Sequence, residues 1–263
     1  MAEGLLAGKR GVVFGVANDR SIAWSCAKAC AAEGAELTLN YLGDAQEKRV
    51  RKLLEDIPGT PCYPCDVSND AEIDTFFAKI KEQWGSIDFI IHSVAYADRG
   101  DLQGRFVDTN RKNFAMAIDI SAYSLVALAR AAEPLFNDGG SIIGMSYYGS
   151  EKVIPRYNVM GVAKATLEAC TRYLAEDLGP KGIRVNCISA GPVRTLSSGA
   201  ISGFRGMLGI TERVSPLRRN ITQEEVGKSA LYLLSDLSSG VTGEIHHVDS
   251  GYNILGMCMP EDA

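Results

Sequence analysis

The chain has 263 residues, 46% of them hydrophobic and 22% charged, which suits one large α/β domain with a full core. A formal net charge of −5 argues against a nucleic-acid partner, since such proteins carry a basic face. No stretch is expected to approach the roughly 20 apolar residues that cross a bilayer. The start, MAEGLLAGKRGVVFG, lacks the basic, apolar and small-residue segments of a signal peptide, so a cytoplasmic protein with no membrane partner is expected.

Lys9 to Phe14 is a short β-branched run ended by Gly15, and a polar loop leads into a helix from about Ser21 that stops at Gly34. Leu37 to Tyr41 reads as a second strand, Asp44 to Asp56 as a charged helix, and Cys62 to Cys65 as a third strand closing at Asp66-Val67. Asn69 is placed to cap a helix carrying Ile73, Phe76, Phe77, Ile80 and Trp84. Ile87 to His92 is the fourth strand, and the loop 93–109 precedes a long helix from about Arg111 to Phe136. Ser141 to Met145 is a buried strand, followed after Pro155 by a helix starting near Arg156. Ile183 to Ser189 is the sixth strand, 196–220 is irregular, and a helix near Thr222 to Ser235 precedes a last strand, Glu244 to Val248.

Strict alternation without repeat or linker predicts one domain: a doubly wound parallel sheet of about seven strands with helices on both faces. In such sheets ligands bind at the carboxyl ends of the strands, near the switch point of strand order. Gly15, Tyr41, Asp66, His92 to Ala95, Ser146-Tyr147 and Gly191 to Thr195 fall at those ends.

Tyr157 and Lys164 lie seven positions apart. If their helix starts near Arg156, about 100° per residue returns both to nearly one face, about 10 Å apart along the axis. A phenol and an ammonium aimed at one spot suggest proton transfer assisted by a cation. The first βα turn, Gly15 to Ala23, is not G-x-G-x-x-G. Gly15 still permits close backbone approach, and Ser21 offers N–H groups and a hydroxyl to a pyrophosphate; an ordinary turn with a serine cap explains the same residues. Asn40-Tyr41-Leu42 ends strand two with no acidic residue for a ribose and no Arg or Lys for a 2′-phosphate, and Lys48 and Arg49 are expected to face solvent. NADH is therefore favoured over NADPH. Asp66 either accepts a hydrogen bond from an adenine amino group, with Val67 packing beside the ring, or caps the helix before Asn69.

Cys62-Tyr-Pro-Cys65 has the spacing of a redox or zinc pair, but no second pair or nearby histidine completes a site, so the cysteines read as core residues. His246-His247 alternates across a strand and cannot chelate one ion; no metal is expected. His92 reads as a packed or cofactor-adjacent residue.

Ile183-Arg-Val-Asn-Cys-Ile-Ser-Ala-Gly-Pro-Val-Arg-Thr195 and the Val248-Asp-Ser-Gly251 ending resemble the short-chain dehydrogenase/reductase superfamily. Most members carry Tyr-x-x-x-Lys, whereas here Met160 stands four residues before Lys164 and the spacing is Tyr157-x6-Lys164. Together with Gly15-x5-Ser21-Ile22-Ala23, Ser146-Tyr147, Asn158-Val-Met-Gly-Val-Ala-Lys164 and Pro192-Val-Arg-Thr-Leu196, this resembles the divergent branch, the NADH-dependent enoyl-[acyl-carrier-protein] reductases of bacterial fatty-acid synthesis. The resemblance runs from Lys9 to about Met257.

The resemblance implies one Rossmann-type dinucleotide-binding domain over 1–263, a homotetramer, and reduction of trans-2-enoyl thioesters carried by acyl carrier protein. It implies NADH against Gly15, Ser21, Ile22, Leu42, Asp66, Val67, Val94, Lys164, Val193, Arg194, Thr195, Leu196 and Ser197. Ala97 and Tyr147 would border the acyl substrate, and Tyr157 would be the catalytic tyrosine. Leu42 departs from the polar residue many relatives carry, so a contact there is backbone or apolar. Tyr157 is then expected to stabilise the developing oxyanion, and Lys164 to bind the ribose hydroxyls and lower the phenol's pKa. Tyr147 either orients the substrate or only walls the pocket. Leu196, Ala200, Ile201, Phe204 and Met207 suit a lid at about 195–215 over an acyl chain, or a loosely packed surface helix.

Overall fold

Short β-branched runs become strands and longer amphipathic patterns become helices in the computed structural model, which describes residues 4–200 and 203–257 apart from the side chains of Ser197, Ala200 and Arg205. The chain runs β1 (Arg10–Phe14), α1 (Ile22–Ala32), β2 (Glu36–Tyr41), α2 (Gly43–Leu53), β3 (Cys62–Pro64), α3 (Asp70–Trp84), β4 (Ile87–His92) and α4 (Arg111–Ile118). It continues through α5 (Ser124–Ala132), β5 (Phe136–Ser146), α6 (Val159–Leu178), β6 (Ile183–Ala190), α7 (Phe204–Val214), α8 (Gln223–Leu234) and β7 (Ile245–Val248). Asn69 caps α3 by accepting from the Ala71 N–H, and Thr222 opens α8 with a reciprocal bond to Glu225.

The seven strands form one parallel sheet in the order β3-β2-β1-β4-β5-β6-β7. Successive strand residues face opposite sides. Val12 and Phe14 join Phe76, Leu128 and Leu167 beneath α3, α5 and α6. Val13 joins Trp24, Val50 and Val226 beneath α1, α2 and α8. This is the doubly wound sheet the alternation predicts. Its order reverses at β1 and β4, so the crevice expected for a ligand opens at their carboxyl ends.

Several local expectations are corrected. Helix α6 begins at Val159, after Tyr157 and not near Arg156. Arg156 (φ 68°) and Asn158 (φ 44°) adopt backbone conformations that a right-handed helix does not contain. The helix expected over 111–136 is divided by a π-helical turn at Asp119–Tyr123, and β5 starts earlier, at Phe136. Segment 196–220 is not irregular throughout: α7 forms over Phe204–Val214 and buries Leu208, Thr211 and Val214 at helical spacing. The expectation that no stretch reaches membrane-spanning length is also corrected, since Arg111–Leu135 passes by length and hydropathy. Much of that apolarity is core, with Leu125, Leu128, Ala129 and Ala132 buried against the sheet.

Asn40, where an acidic residue is usual, fastens three strand ends. Its Oδ1 accepts from the Gly15 N–H at 3.0 Å and its Nδ2 donates to the Cys65 carbonyl at 3.0 Å, with the residue 5% exposed. Asn40→Leu removes the partner of one backbone donor and one backbone acceptor. It is expected to lower the unfolding free energy by about 2–4 kcal/mol, read by urea denaturation; a loss below about 0.5 kcal/mol would show that the clamp is dispensable.

Candidate active site

Gly15 turns the chain out of β1 at φ 99°, and a Cβ there would stand 2.1 Å from the Ser93 carbonyl oxygen at the end of β4. Only glycine allows that approach. The turn that follows is organised by Ser21. Its hydroxyl donates to the Asn18 carbonyl at 2.7 Å and accepts from the N–H groups of Ala17 and Asn18. That hydroxyl is saturated, which corrects the expectation that it serves a pyrophosphate. It also makes no cap bond to α1; Trp24 and Ser25 donate their N–H groups to the Ser21 carbonyl, which leaves those of Ile22 and Ala23 open to an anion at the mouth of the crevice. Gln46 ties this turn to the end of β2, donating to the Val16 carbonyl at 2.7 Å and accepting from the Leu42 N–H at 2.8 Å.

Tyr157 is presented by a turn, not a helix. Its N–H donates to the Ile154 carbonyl, and its own carbonyl accepts from Met160. Asn158 holds φ 44° and ψ −123°, a strained conformation for a residue with a Cβ. Its Nδ2 donates to the carbonyls of Asp101 and Gly104 at 2.8 and 3.0 Å, which anchors the turn to the loop after β4. The Tyr147 ring packs edge-on against Tyr157 with centroids 4.9 Å apart. Gly149 makes room for it, since a Cβ there would lie 2.4 Å from the Tyr157 ring. The Tyr147 hydroxyl donates to the sulfur of Met207 on α7 at 3.3 Å.

Lys164, on the second turn of α6, is 6% exposed and donates from Nζ to the Met145 carbonyl at 2.5 Å. Burial lowers its pKa to about 8, while Cys187 and Glu168 act to raise it. The Tyr157 phenol is pushed well above its ordinary value by burial and by Tyr147. The lowering expected from Lys164 is absent; burial sets the direction, and the phenol keeps its proton. Burial, then Tyr252, raises Tyr147 in the same direction. His92 is buried and bonded through Nε2 to the Ser124 hydroxyl at 2.7 Å; burial and then Lys164 lower it to about 3, so it stays neutral.

These elements enclose a cavity of about 500 Å³. Of the residues singled out from sequence, Gly15, Ser21, Ile22, Val94, Ala97, Tyr147, Tyr157, Lys164, Val193, Thr195, Leu196, Phe204 and Met207 line it. Leu42, Asp66, Val67 and Arg194 do not. Leu42 is 58% exposed at the start of α2, and Val67 packs into the core. Asp66 Oδ1 accepts from the Ser68 N–H and hydroxyl in the loop ahead of α3, whose cap is Asn69. The Arg194 carbonyl accepts from Gln223. The side chains of Ser197 and Ala200, and Ile201 entirely, lie outside the described residues. Sequence reasoning missed Gln46, Tyr96, Leu102 and Met160 as site residues, which also line the cavity; Gln46 signalled itself only as a polar residue four positions past Leu42. Cys62 and Cys65 are buried free thiols, and burial pushes Cys65 up to about 12. His247 pairs with Glu151 at 2.8 Å.

Residues 15–253 match the family model described as Enoyl-(Acyl carrier protein) reductase. The enoyl-[acyl-carrier-protein] reductase [NADH] 1 of Rhizobium meliloti (strain 1021) is 57% identical over 256 residues, 97% of this chain and 94% of that protein. The enoyl-(acyl-carrier-protein) reductase of Anaplasma phagocytophilum, solved in complex with NAD, superposes with a TM-score of 0.94 at 51% identity, covering 99% of this chain and 97% of that one. The Bacillus cereus enoyl-acyl carrier protein reductase, solved with NADP+ and indole naphthyridinone, gives 0.95 at 52% identity, covering 97% and 100%. With two tyrosines and a lysine gathered at the switch point of a doubly wound sheet, and with this similarity across nearly its whole length, the chain belongs to the enoyl-(acyl carrier protein) reductase family.

Proposed function

We propose that this chain reduces trans-2-enoyl thioesters, carried by acyl carrier protein, to saturated acyl thioesters with NADH, in bacterial type II fatty-acid elongation. The observation that carries the reading is the meeting of two protonated phenols and one buried ammonium at the carboxyl end of β5, beneath α7.

The residues present suit a dinucleotide. The open N–H groups of the first turn of α1 fit a pyrophosphate. Lys164 has two ammonium hydrogens beyond the one given to Met145, and these fit ribose hydroxyls. Val193, Thr195 and Leu196, which follow β6, line the cavity with Lys164 and are assigned the nicotinamide end together with Arg194 and Ser197. The adenosine end is assigned to Leu42, Asp66 and Val67, which continue the row of strand ends from Gly15. No arginine or lysine stands at the end of β2, and Lys48 and Arg49 are exposed, so NADH is preferred over NADPH.

When bound, NADH supplies a hydride to the β-carbon of the enoyl thioester. Negative charge then develops on the thioester carbonyl oxygen. The Tyr157 phenol, still protonated, is the hydrogen-bond donor to that oxygen, a preorganised contribution that grows with the charge, and it can pass its proton onward. Tyr147 stacks beside it and orients the thioester. Ala97, Ala200, Ile201, Phe204 and Met207 bound the acyl chain. Residues 195–215 act as the lid, and the Tyr147–Met207 contact joins it to the site. A homotetramer and a cytoplasmic location belong to the same reading; Phe106, Val107, Phe114 and Tyr123 leave apolar surface around α4 and α5 for subunits to cover.

Absorbance at 340 nm should show NADH oxidation with a crotonyl or longer enoyl thioester and little with a 3-oxoacyl thioester; turnover of the ketone alone would sink this reading. Tyr157→Phe is expected to cut kcat about 10²-fold or more with NADH affinity nearly kept. Lys164→Ala should weaken NADH binding about tenfold or more, ~1.4 kcal/mol; unchanged binding removes its ribose role. Because the Lys164 pKa is lowered to about 8, its ammonium contributes fully below that pH. NADH affinity, read by fluorescence titration, should fall as pH rises through it.

A further inference from the structure

We propose that Glu168 is a positioning residue of this site, a buried counter-ion that keeps Lys164 charged while its carboxyl group pins the end of β5 to α6. Glu168 lies one helical turn beyond Lys164, and each is 6% exposed. Lys164 Nζ donates to the carbonyl of Met145. The hydroxyl of the next residue, Ser146, donates to Glu168 Oε1, and so does that of Ser150 at 2.5 Å. The cation and the carboxyl group therefore grip consecutive residues of the strand end, and the loop they hold carries Tyr147.

Two hydroxyl protons are thus directed at one buried carboxyl oxygen. The other titratable groups that face Lys164 are neutral near pH 7. From β4 comes His92, lowered to about 3 by burial. From β6 comes Cys187, bonded to Thr171 and pushed up to about 12 by burial. Tyr147 and Tyr157 are phenols raised by burial. Glu168 is the carboxyl group that acts on Lys164, raising its pKa alongside Cys187. Burial alone drives Lys164 toward its neutral form, and Glu168 opposes that. The consequence for NADH rests on the ribose role assigned to Lys164; the charge of Lys164 itself does not.

The test reads the lysine first. In protein labelled with ¹³C at lysine Cε, the Lys164 resonance is identified by its loss in Lys164→Met and followed by NMR against pH. In Glu168→Gln, which keeps size and an acceptor, its titration midpoint should fall by about one pH unit or more. With a midpoint near 8 lowered by about one unit, NADH affinity should drop about twofold at pH 7 and about tenfold by pH 9, and recover toward pH 6. An unchanged midpoint overturns the proposal, even where affinity falls equally at every pH. A shifted midpoint with no change in NADH binding supports the counter-ion and refutes the ribose role. If the Gln variant does not fold, Glu168→Asp, which withdraws the charge by one methylene, should shift the midpoint in the same direction, and no shift there overturns the proposal.

Discussion

The hydrogen bond from Lys164 Nζ to the carbonyl oxygen of Met145 joins a cation withdrawn from water to the last turn of β5. Burying an ammonium is costly unless polar partners surround it, and the positions of its neighbours follow from that demand. The strand must end where its carbonyl reaches the lysine. Ser146 and Ser150 then meet Glu168, and Tyr147 is carried between them onto Tyr157. The polar anchor and Tyr147 are thus carried by one strand end, against which Tyr157 packs.

The sheet was largely legible in the sequence because its signal is local. Val12, Val13 and Phe14, or Phe89, Ile90 and Ile91, are runs that a buried parallel strand requires, and glycine or asparagine marked most helix ends. Cavity residues at strand ends were legible for the same topological reason. Legibility failed where backbone conformation depends on distant partners. Nothing in the residues around Tyr157 announces that Asn158 will hold a strained φ, because its compensation comes from the carbonyls of Asp101 and Gly104, more than 50 positions away. The π-helical turn at Asp119–Tyr123 is equally silent. It places Ser121 where it bonds the backbone of Tyr96 in both directions.

Side-chain roles failed differently. Ser21 was recognised as a polar group at a helix start, yet its hydroxyl spends its bonding capacity on its own loop, and one carboxyl oxygen of Asp66 does the same. Sequence reading counts donors and acceptors but does not say which are already satisfied. Asn40 shows the converse: a position noticed for the acid it lacks is filled by an amide that fastens the ends of β1, β2 and β3. At Tyr157 the electrostatic expectation failed because loss of water, and not the lysine, governs the phenol.

The late start of α6 means that the phenol and the ammonium do not ride on one rigid rod. Lys164 moves with the helix, whereas Tyr157 moves with a turn whose anchors belong to residues 101–104. A displacement of that loop reaches the phenol without passing through the lysine. The pair is mechanically decoupled: one group keeps a fixed grip at the strand end while the other remains adjustable from the opposite wall of the cavity.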